Sequence, residues 1–227
     1  MLSLNIGLST EKSYFPILFL KNRTMMRELF SGWFENLDQS GIPNIKNPDK
    51  PWEILSQSIG GIVAQIEESH GQNGVFIHPT AEIDDSVKIE GPCFIGANSE
   101  IRHSAFLRRG SWICEGVVVG HCSEIKNSLL LPRSKAPHFN YVGDSILGSG
   151  VNLGAGAILS NVRHDRKEIS LGLEGRGKIP TGFSKLGALI GDGAKLGCNV
   201  VTNPGTIVLP SSMIPPNLTI SGFYPSS

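Results

Sequence analysis

The sequence predicts an all-β fold, a solenoid of short parallel strands wound into a prism, with a short helical segment ahead of it. Three observations predict it: an aliphatic residue at every sixth position from Ile77, a small residue four places after most of these, and turn-forming residues between them. The frame runs Ile77, Ile83, Ile89, Ile95, Ile101, Leu107, Ile113, Val119, Ile125 and Leu131. Ten apolar residues in one fixed frame would arise by chance roughly once in a thousand sequences. The small set is Ala81, Val87, Cys93, Ser99, Ala105, Ser111, Val117 and Ser123, each short enough for a cramped interior corner. A period of six matches neither the helical 3.6 nor simple alternation. It suits three short strands joined by tight turns into a triangular coil, with coils stacked about 4.8 Å apart.

Residues 1–72 lack this period and are read as a helical segment and linker; 73–221 form the β-helix. Met25 to Leu37 and Trp52 to Glu68 each carry apolar residues at helical spacing, and the prolines of SGIPNIKNPDKP between them forbid a continuous helix. Two short helices are expected, packed on the first coil or on a neighbouring molecule. Further along, the frame returns shifted at Leu147, Leu153 and Leu159. It shifts again at Ile190, Leu196, Val208, Ile214 and Ile220, with Thr202 the polar member. Two stretches, about 132–144 and 162–188, are therefore expected to leave the prism as inserted loops.

With 227 residues and 40% apolar content, the chain can bury one sizeable core. Its 20 Lys and Arg balance 20 Asp and Glu, so no overall attraction to nucleic acid or to an anionic membrane is expected. MLSLNIGLST lacks a basic region before a long apolar run, and FPILFL is too short to span a bilayer. A cytoplasmic protein is expected. Cys93, Cys114, Cys122 and Cys198 show no CxxC or CxxH spacing, which suggests small residues in a reduced core rather than zinc ligands or disulfides. His78, His103, His121 and His164 raise a metal reading, but no close histidine pair five apart occurs, and no metal is expected.

The stretch SEIKNSLLLPRSKAPHFNYVGDSILGSGVNLGAGAILSN, 123–161, resembles the active-site region of a known family. This is the acetyltransferase half of the bifunctional N-acetylglucosamine-1-phosphate uridylyltransferase/glucosamine-1-phosphate acetyltransferases, which carry a similar SKAGHLTYLGD and VNIGAGT. NVRHD and KLGALIGDGAKLG are similar to the archaeal sugar-1-phosphate nucleotidylyltransferases with an amino-sugar-1-phosphate acetyltransferase tail. The resemblance covers about residues 90–210. It implies a left-handed coil, a homotrimer with sites between subunits, acetyl-CoA as co-substrate, an amino-sugar phosphate as acceptor, and a place in UDP-N-acetylglucosamine and cell-envelope synthesis.

Residue by residue, the resemblance makes His138 the catalytic base and gives Arg108, Lys126 and Tyr141 to the sugar phosphate. Asn152 and Asn161 fall on sugar-contacting positions, and Ala155, with Cys198, on the coenzyme side. The chemistry suits the residue types. A protonated amine must lose a proton before attacking a thioester, and histidine titrates in the right range. Glu124 shares a strand face with Lys126 and is expected to orient the imidazole. Arg108 and Lys126 offer a fork and a point charge to phosphate, and the Gly-Ala-Gly backbone allows close approach of a thioester.

Two departures from the family shape the expectations. Only about 72 residues precede the prism, so nucleotidyl transfer is not expected of this chain. No Lys or Arg follows Lys195, so the coenzyme phosphates are expected to meet Arg166, Lys167, Arg176, Lys178 or Lys185. Two other functions fit the same motifs: a noncatalytic hexapeptide-repeat binding or assembly module, and an acyltransferase acting on a nucleotide-linked amino sugar.

Overall fold

The computed structural model describes residues 32–34, 37–173 and 177–225. Their backbone winds into a left-handed parallel β-helix, the solenoid that the hexad frame predicts, with the hand that the resemblance implies. Its three faces are parallel sheets of eight, seven and seven strands, here called A, B and C. Face A joins Ile77, Ile95, Ile113, Leu130, Leu147, Ile190 and Val208 in one inward-pointing column. Face B stacks Ile83, Ile101, Val119, Ala136, Leu153, Leu196 and Ile214. Face C stacks Ile89, Leu107, Ile125, Val142, Leu159, Thr202 and Ile220. From the second coil on, the columns are closed from water. The small corner residues Cys93, Ser99, Ala105, Ser111, Val117 and Ser123 are buried as their size requires. The serines also satisfy backbone carbonyls: Ser99 Oγ donates to Cys114 O at 2.9 Å and Ser111 Oγ to Arg108 O at 2.6 Å.

The stretch 132–144 does not leave the prism. Lys135–His138 is a strand of face B in register with Val118–His121, and Tyr141–Gly143 is a strand of face C in register with Glu124–Lys126. What breaks the beat is a corner one residue shorter. Leu130, not Leu131, pairs with Ile113, so Ile125 to Leu130 and Val142 to Leu147 are steps of five. Asn127 (φ 45°) and Asp144 (φ 46°) turn these two tight corners in the left-handed region, which asparagine and aspartate tolerate best among residues with a side chain. Between Leu159 and Ala188 the chain does leave the coil, forming an antiparallel hairpin of Ser170–Leu173 and Gly177–Pro180.

Face A carries a second core on its outer side. Phe76, Phe94, Trp112, Leu129, Ile146, Leu189, Ile207 and Phe223 form an unbroken apolar column there. Its rings stack at 4.8 Å (Phe76–Phe94) and 4.5 Å (Phe94–Trp112). Trp33, Trp52, Ile54, Leu55, Ile62 and Ile66 from the preceding segment join the same buried cluster, as do Ile169 and Leu171 from the hairpin. Trp112 Nε1 donates to Gly41 O at 2.8 Å, and Asp192 N to Trp33 O at 3.0 Å, so the segment lies along much of the face. Trp52 to Glu68 is not one helix: Pro51–Leu55 is a 3-10 turn and Ile62–His70 an α-helix. Gly60 (φ 94°) separates them, and a β-carbon at Gly61 would collide with Ser56 O. Most of the stretch Met25 to Leu37 lies outside the described residues.

Two cysteines depart from the expected buried setting. Cys93 and Cys114 are buried, and burial pushes the Cys93 thiol up to about 12, whereas Cys122 and Cys198 are exposed. No helix among the described residues is long and apolar enough to cross a membrane. Thr202, the polar member of the frame, is fully buried, and its hydroxyl has no partner among the described residues. Thr202→Val keeps the shape and removes that unpaired hydroxyl, so it is expected to stabilise the fold by about 1 kcal/mol. Urea titration should show a higher midpoint at an unchanged slope.

Candidate active site

Stacking by one coil brings residues 17 or 18 apart into contact, and on face C it gathers charge. Arg108 Nη1 donates to Glu124 Oε1 at 2.7 Å. This pair raises the Arg108 pKa above its already high ordinary value. Lys126 Nζ donates to Asp144 Oδ2 at 3.0 Å. Asp144 is only 5% exposed, and its carboxylate also accepts from Asn127 Nδ2 at 2.8 Å and from Asn161 Nδ2. Its backbone carbonyl accepts from Gly187 N at 2.8 Å. A buried carboxylate with this many donors is satisfied rather than strained.

Tyr141 stands in register beside Glu124, with its hydroxyl against Asn161 at the edge of Gly143. Burial raises the phenol pKa, and the Glu124 and Asp144 carboxylates add to the rise, so Tyr141 is a neutral hydrogen-bonding group in the neutral range. Arg108, Lys126, Asn127 and Asp144 line a cavity of about 540 Å³ together with Leu55–Gln57 and Gly182–Lys185. That volume is in the range of small-ligand pockets. Lys185 is held in this lining by a bridge to Val162, and Leu186 N donates to Asn161 O at 3.0 Å. Of the expected coenzyme cations, Lys185 therefore sits with Arg108 and Lys126. Arg176 lies outside the described residues.

A second group lies on the corner between faces B and C. His121, His138, Ala155 and Cys198 occupy equivalent corner positions of successive coils. His138 pairs in register with His121, Gly156 N donates to His138 O at 3.0 Å, and Asn199 N donates to Ala155 O at 2.9 Å. The corner is tight: a β-carbon at Gly120 would collide with Pro137 O, and one at Gly154 with Cys198 N. Asn140 shapes the turn after His138. Its Oδ1 accepts from His138 N at 3.1 Å and its Nδ2 donates to Gly154 O at 2.8 Å. Asn152 lies nearby on face B, between Lys135 and Lys195.

The expected residues thus separate into two neighbouring sets. Arg108, Glu124, Lys126, Tyr141 and Asn161 come together on face C, while His138, Asn152, Ala155 and Cys198 follow the adjoining corner. Glu124 does not reach the imidazole: its carboxylate is engaged by Arg108, one coil away on its own face. Sequence reasoning missed Asp144, Asn127, Asn140 and Gln57. The first three lie within the quoted stretch 123–161, and Asn127 and Asp144 turn left-handed corners, for which an asparagine or aspartate next to Ser or Gly is the sequence signal. The metal-like histidines His103 and His121 stack face to face at 5.4 Å. Among the described residues, no cluster of three or more His, Cys, Asp or Glu is placed to hold a metal ion.

A stacked coil of this kind, with three parallel faces and an inserted hairpin, defines a hexapeptide-repeat type of protein. Comparison with known proteins narrows the class. Residues 71–163 match the family model described as the GMPPB C-terminal domain. A bifunctional sugar-1-phosphate nucleotidylyltransferase/acetyltransferase of Sulfurisphaera tokodaii is 34% identical over 190 residues, 76% of this chain and 45% of the relative. The bifunctional protein GlmU of Methanococcus maripaludis is 36% identical over 188 residues, 75% of this chain and 43% of the relative. The chain therefore spans less than half the length of these two relatives. The uncharacterized acetyltransferase YaiX of Escherichia coli is 35% identical over 161 residues, 71% of this chain and 69% of the relative. The chain belongs to this hexapeptide-repeat acetyltransferase family.

The arrangement makes Asp144 the hub of face C. Asp144→Ala would leave Lys126 without its counter-charge and strip the buried Asn127 and Asn161 amides of an acceptor. It is expected to destabilise the fold by about 3 kcal/mol. Asp144→Asn should cost less, since it keeps one acceptor oxygen. Equal losses for the two variants in urea titration would contradict this assignment.

Proposed function

We propose that the protein transfers an acetyl group from acetyl-CoA to the amine of an amino-sugar 1-phosphate, glucosamine-1-phosphate or galactosamine-1-phosphate. The observation that carries this reading is the face-C cavity. Arg108, Lys126 and Lys185 line it, Tyr141 and Asn161 belong to the same face, and His138 stands on the corner at that face's other edge. Arg108 spends one of its five N–H donors on Glu124 and Lys126 one of three on Asp144. The remaining donors, with Lys185, are available to a phosphate. Asn161 and Tyr141, with Asn152 from the next face, would hold sugar hydroxyls.

His138 takes the proton of the amine as its nitrogen attacks the thioester carbonyl. The C–N bond forms, the C–S bond breaks, and the thiol of coenzyme A leaves with a proton. The backbone of Gly154–Ala155–Gly156, one coil below His138, gives the thioester a close approach, with an amide N–H for the developing oxyanion. Cys198 would border the same channel. Glu124 acts through Arg108, fixing the guanidinium rather than the imidazole. A homotrimer fits this division of labour, because the corner that bears His138 is free while face A is covered by the chain's own segments.

A thiol-release assay with acetyl-CoA against glucosamine-1-phosphate, galactosamine-1-phosphate and a UDP-amino sugar tests the reading. Activity with either sugar phosphate supports it; activity with the UDP-amino sugar alone transfers it to a nucleotide-linked acceptor, and none with any acceptor leaves the assembly-module function. His138→Ala is expected to cut turnover by roughly a hundredfold to ten-thousandfold with the fold intact. A wild-type rate across pH 6 to 9 (a window about the ordinary histidine pKa of roughly 6.5) would remove His138 from the mechanism. Light scattering at micromolar concentration should give a trimer, and a monomer would argue against a shared site.

A further inference from the structure

A face of a parallel β-helix is a flat ladder of strands, and a small polar ligand lying on it touches protein on one side only. At its edge toward face A, face C is made concave by two segments outside the coil, Leu55–Gln57 and Gly182–Lys185, which line the cavity with it. The first of these is docked by specific hydrogen bonds. Asn127 Nδ2 donates to Leu55 O at 3.0 Å, and Gln57 Nε2 donates to Asn127 Oδ1 at 3.0 Å. Asn127 in turn donates to Asp144, which holds Lys126. Gln57 is therefore three hydrogen bonds, through two fixed side chains, from the ammonium group proposed to meet the phosphate.

From this we infer that Gln57 is a specificity-determining residue of the acceptor site, and that the segment carrying it is a built-in wall of that site. The inference rests on the reading of an amino-sugar phosphate as acceptor and goes beyond it, since neither the hexad frame nor the family motif includes residue 57. The carboxamide has the right chemistry. One Nε2 hydrogen is engaged by Asn127; the other, and the two lone pairs of Oε1, remain to donate to and accept from a sugar hydroxyl. A neutral amide contributes direction rather than charge, which suits discrimination between hydroxyl epimers, whereas the cations across the cavity suit the phosphate common to both epimers. Gln57 is exposed, so water satisfies its free donor and acceptor in the absence of ligand, and the discrimination expected from exchanging that water for a hydroxyl is modest.

The test uses the full chain with two probes, glucosamine-1-phosphate and galactosamine-1-phosphate, which differ only in the orientation of the C4 hydroxyl. Calorimetry on wild type and Gln57→Ala should show weaker binding of the preferred epimer by about threefold to tenfold. The other epimer should change less, and the KM for acetyl-CoA should not move. Hydrogen–deuterium exchange on the wild type should show ligand protection over residues 53–61 as well as 124–144. Equal weakening of both epimers would mean that Gln57 only supports the fold and would overturn the inference. So would unchanged affinity, or protection of 124–144 without 53–61, with the acceptor reading left standing. Absence of binding and protection by both probes in the wild type would overturn the acceptor reading itself and the inference with it.

Discussion

The carboxylate of Asp144 is the interaction on which the candidate site depends. It is buried at a left-handed corner and accepts hydrogen bonds from Lys126 and Asn127 one coil before it and from Asn161 one coil after it. Through Asn127 it reaches Leu55 and Gln57 in the segment that precedes the prism. Through its own carbonyl and through Asn161 it fixes Gly187 and Leu186, where the hairpin insertion returns to the coil. The two walls of the cavity and its floor are thus tied to one side chain. A buried charge is costly to desolvate, and the cost is offset only where donors surround it. Here those donors are the site itself, so the arrangement that satisfies Asp144 also positions the groups facing the cavity.

Stacking explains why such an arrangement is possible in so regular a fold. Coils lie one strand spacing apart, about 4.8 Å, so every position has an equivalent directly above and below it. Apolar residues repeat inside because each coil presents the same cross-section. Outside, the same repetition sets like against like, and each face acquires its own character. Face A carries an apolar column from Phe76 to Phe223 and is covered by the chain's other segments. Face C carries alternating charge, and the corner between B and C carries small residues beneath His138. A parallel ladder has no turn long enough to project a loop over the site, so concavity has to come from outside the coil. The preceding segment and the hairpin supply it.

Much of this was legible in the sequence, and the parts that were not have identifiable causes. The frame from Ile77 to Ile125 was clear because interior positions tolerate little besides aliphatic residues. It fails at Leu129, Leu130 and Leu131, since three leucines in a row satisfy any frame, so the shortened corner after Ile125 is invisible in the sequence and the next coil reads as a loop. Thr202 was recognised as a polar member of the frame, although nothing local shows that its hydroxyl is unpaired. The candidate residues of face C follow from the resemblance, whereas Asp144, at the end of the same motif, has no local signal of its many partners. Its partners lie 17 or 18 positions away, a separation that acquires meaning only once the coil length at that point is known. The outer column of face A repeats at the same interval, one residue before each interior position, and was hidden by the stronger interior signal beside it.

The charge pattern of the cavity bears on how a ligand would be held. Arg108 is matched by Glu124, Arg109 by Glu67 and Lys126 by Asp144, and Glu90 is matched by Lys88. Lys185 alone among the cavity cations has no ion pair among the described residues. The cavity is therefore close to neutral before any ligand arrives, with one positive charge in excess. Such a site does not gather anions by long-range attraction, and a stray chloride or carboxylate gains little in it. A phosphate gains more, because the paired cations still carry N–H groups already fixed in direction by their partners, and donors that need no reordering lose less entropy on binding. Glu124 and Asp144 thus each engage one of the two cations, Arg108 and Lys126, that line the cavity. On the proposed reading, selectivity for a phosphorylated amino sugar follows from this geometry, with Lys185 supplying the net charge and the matched pairs supplying the shape.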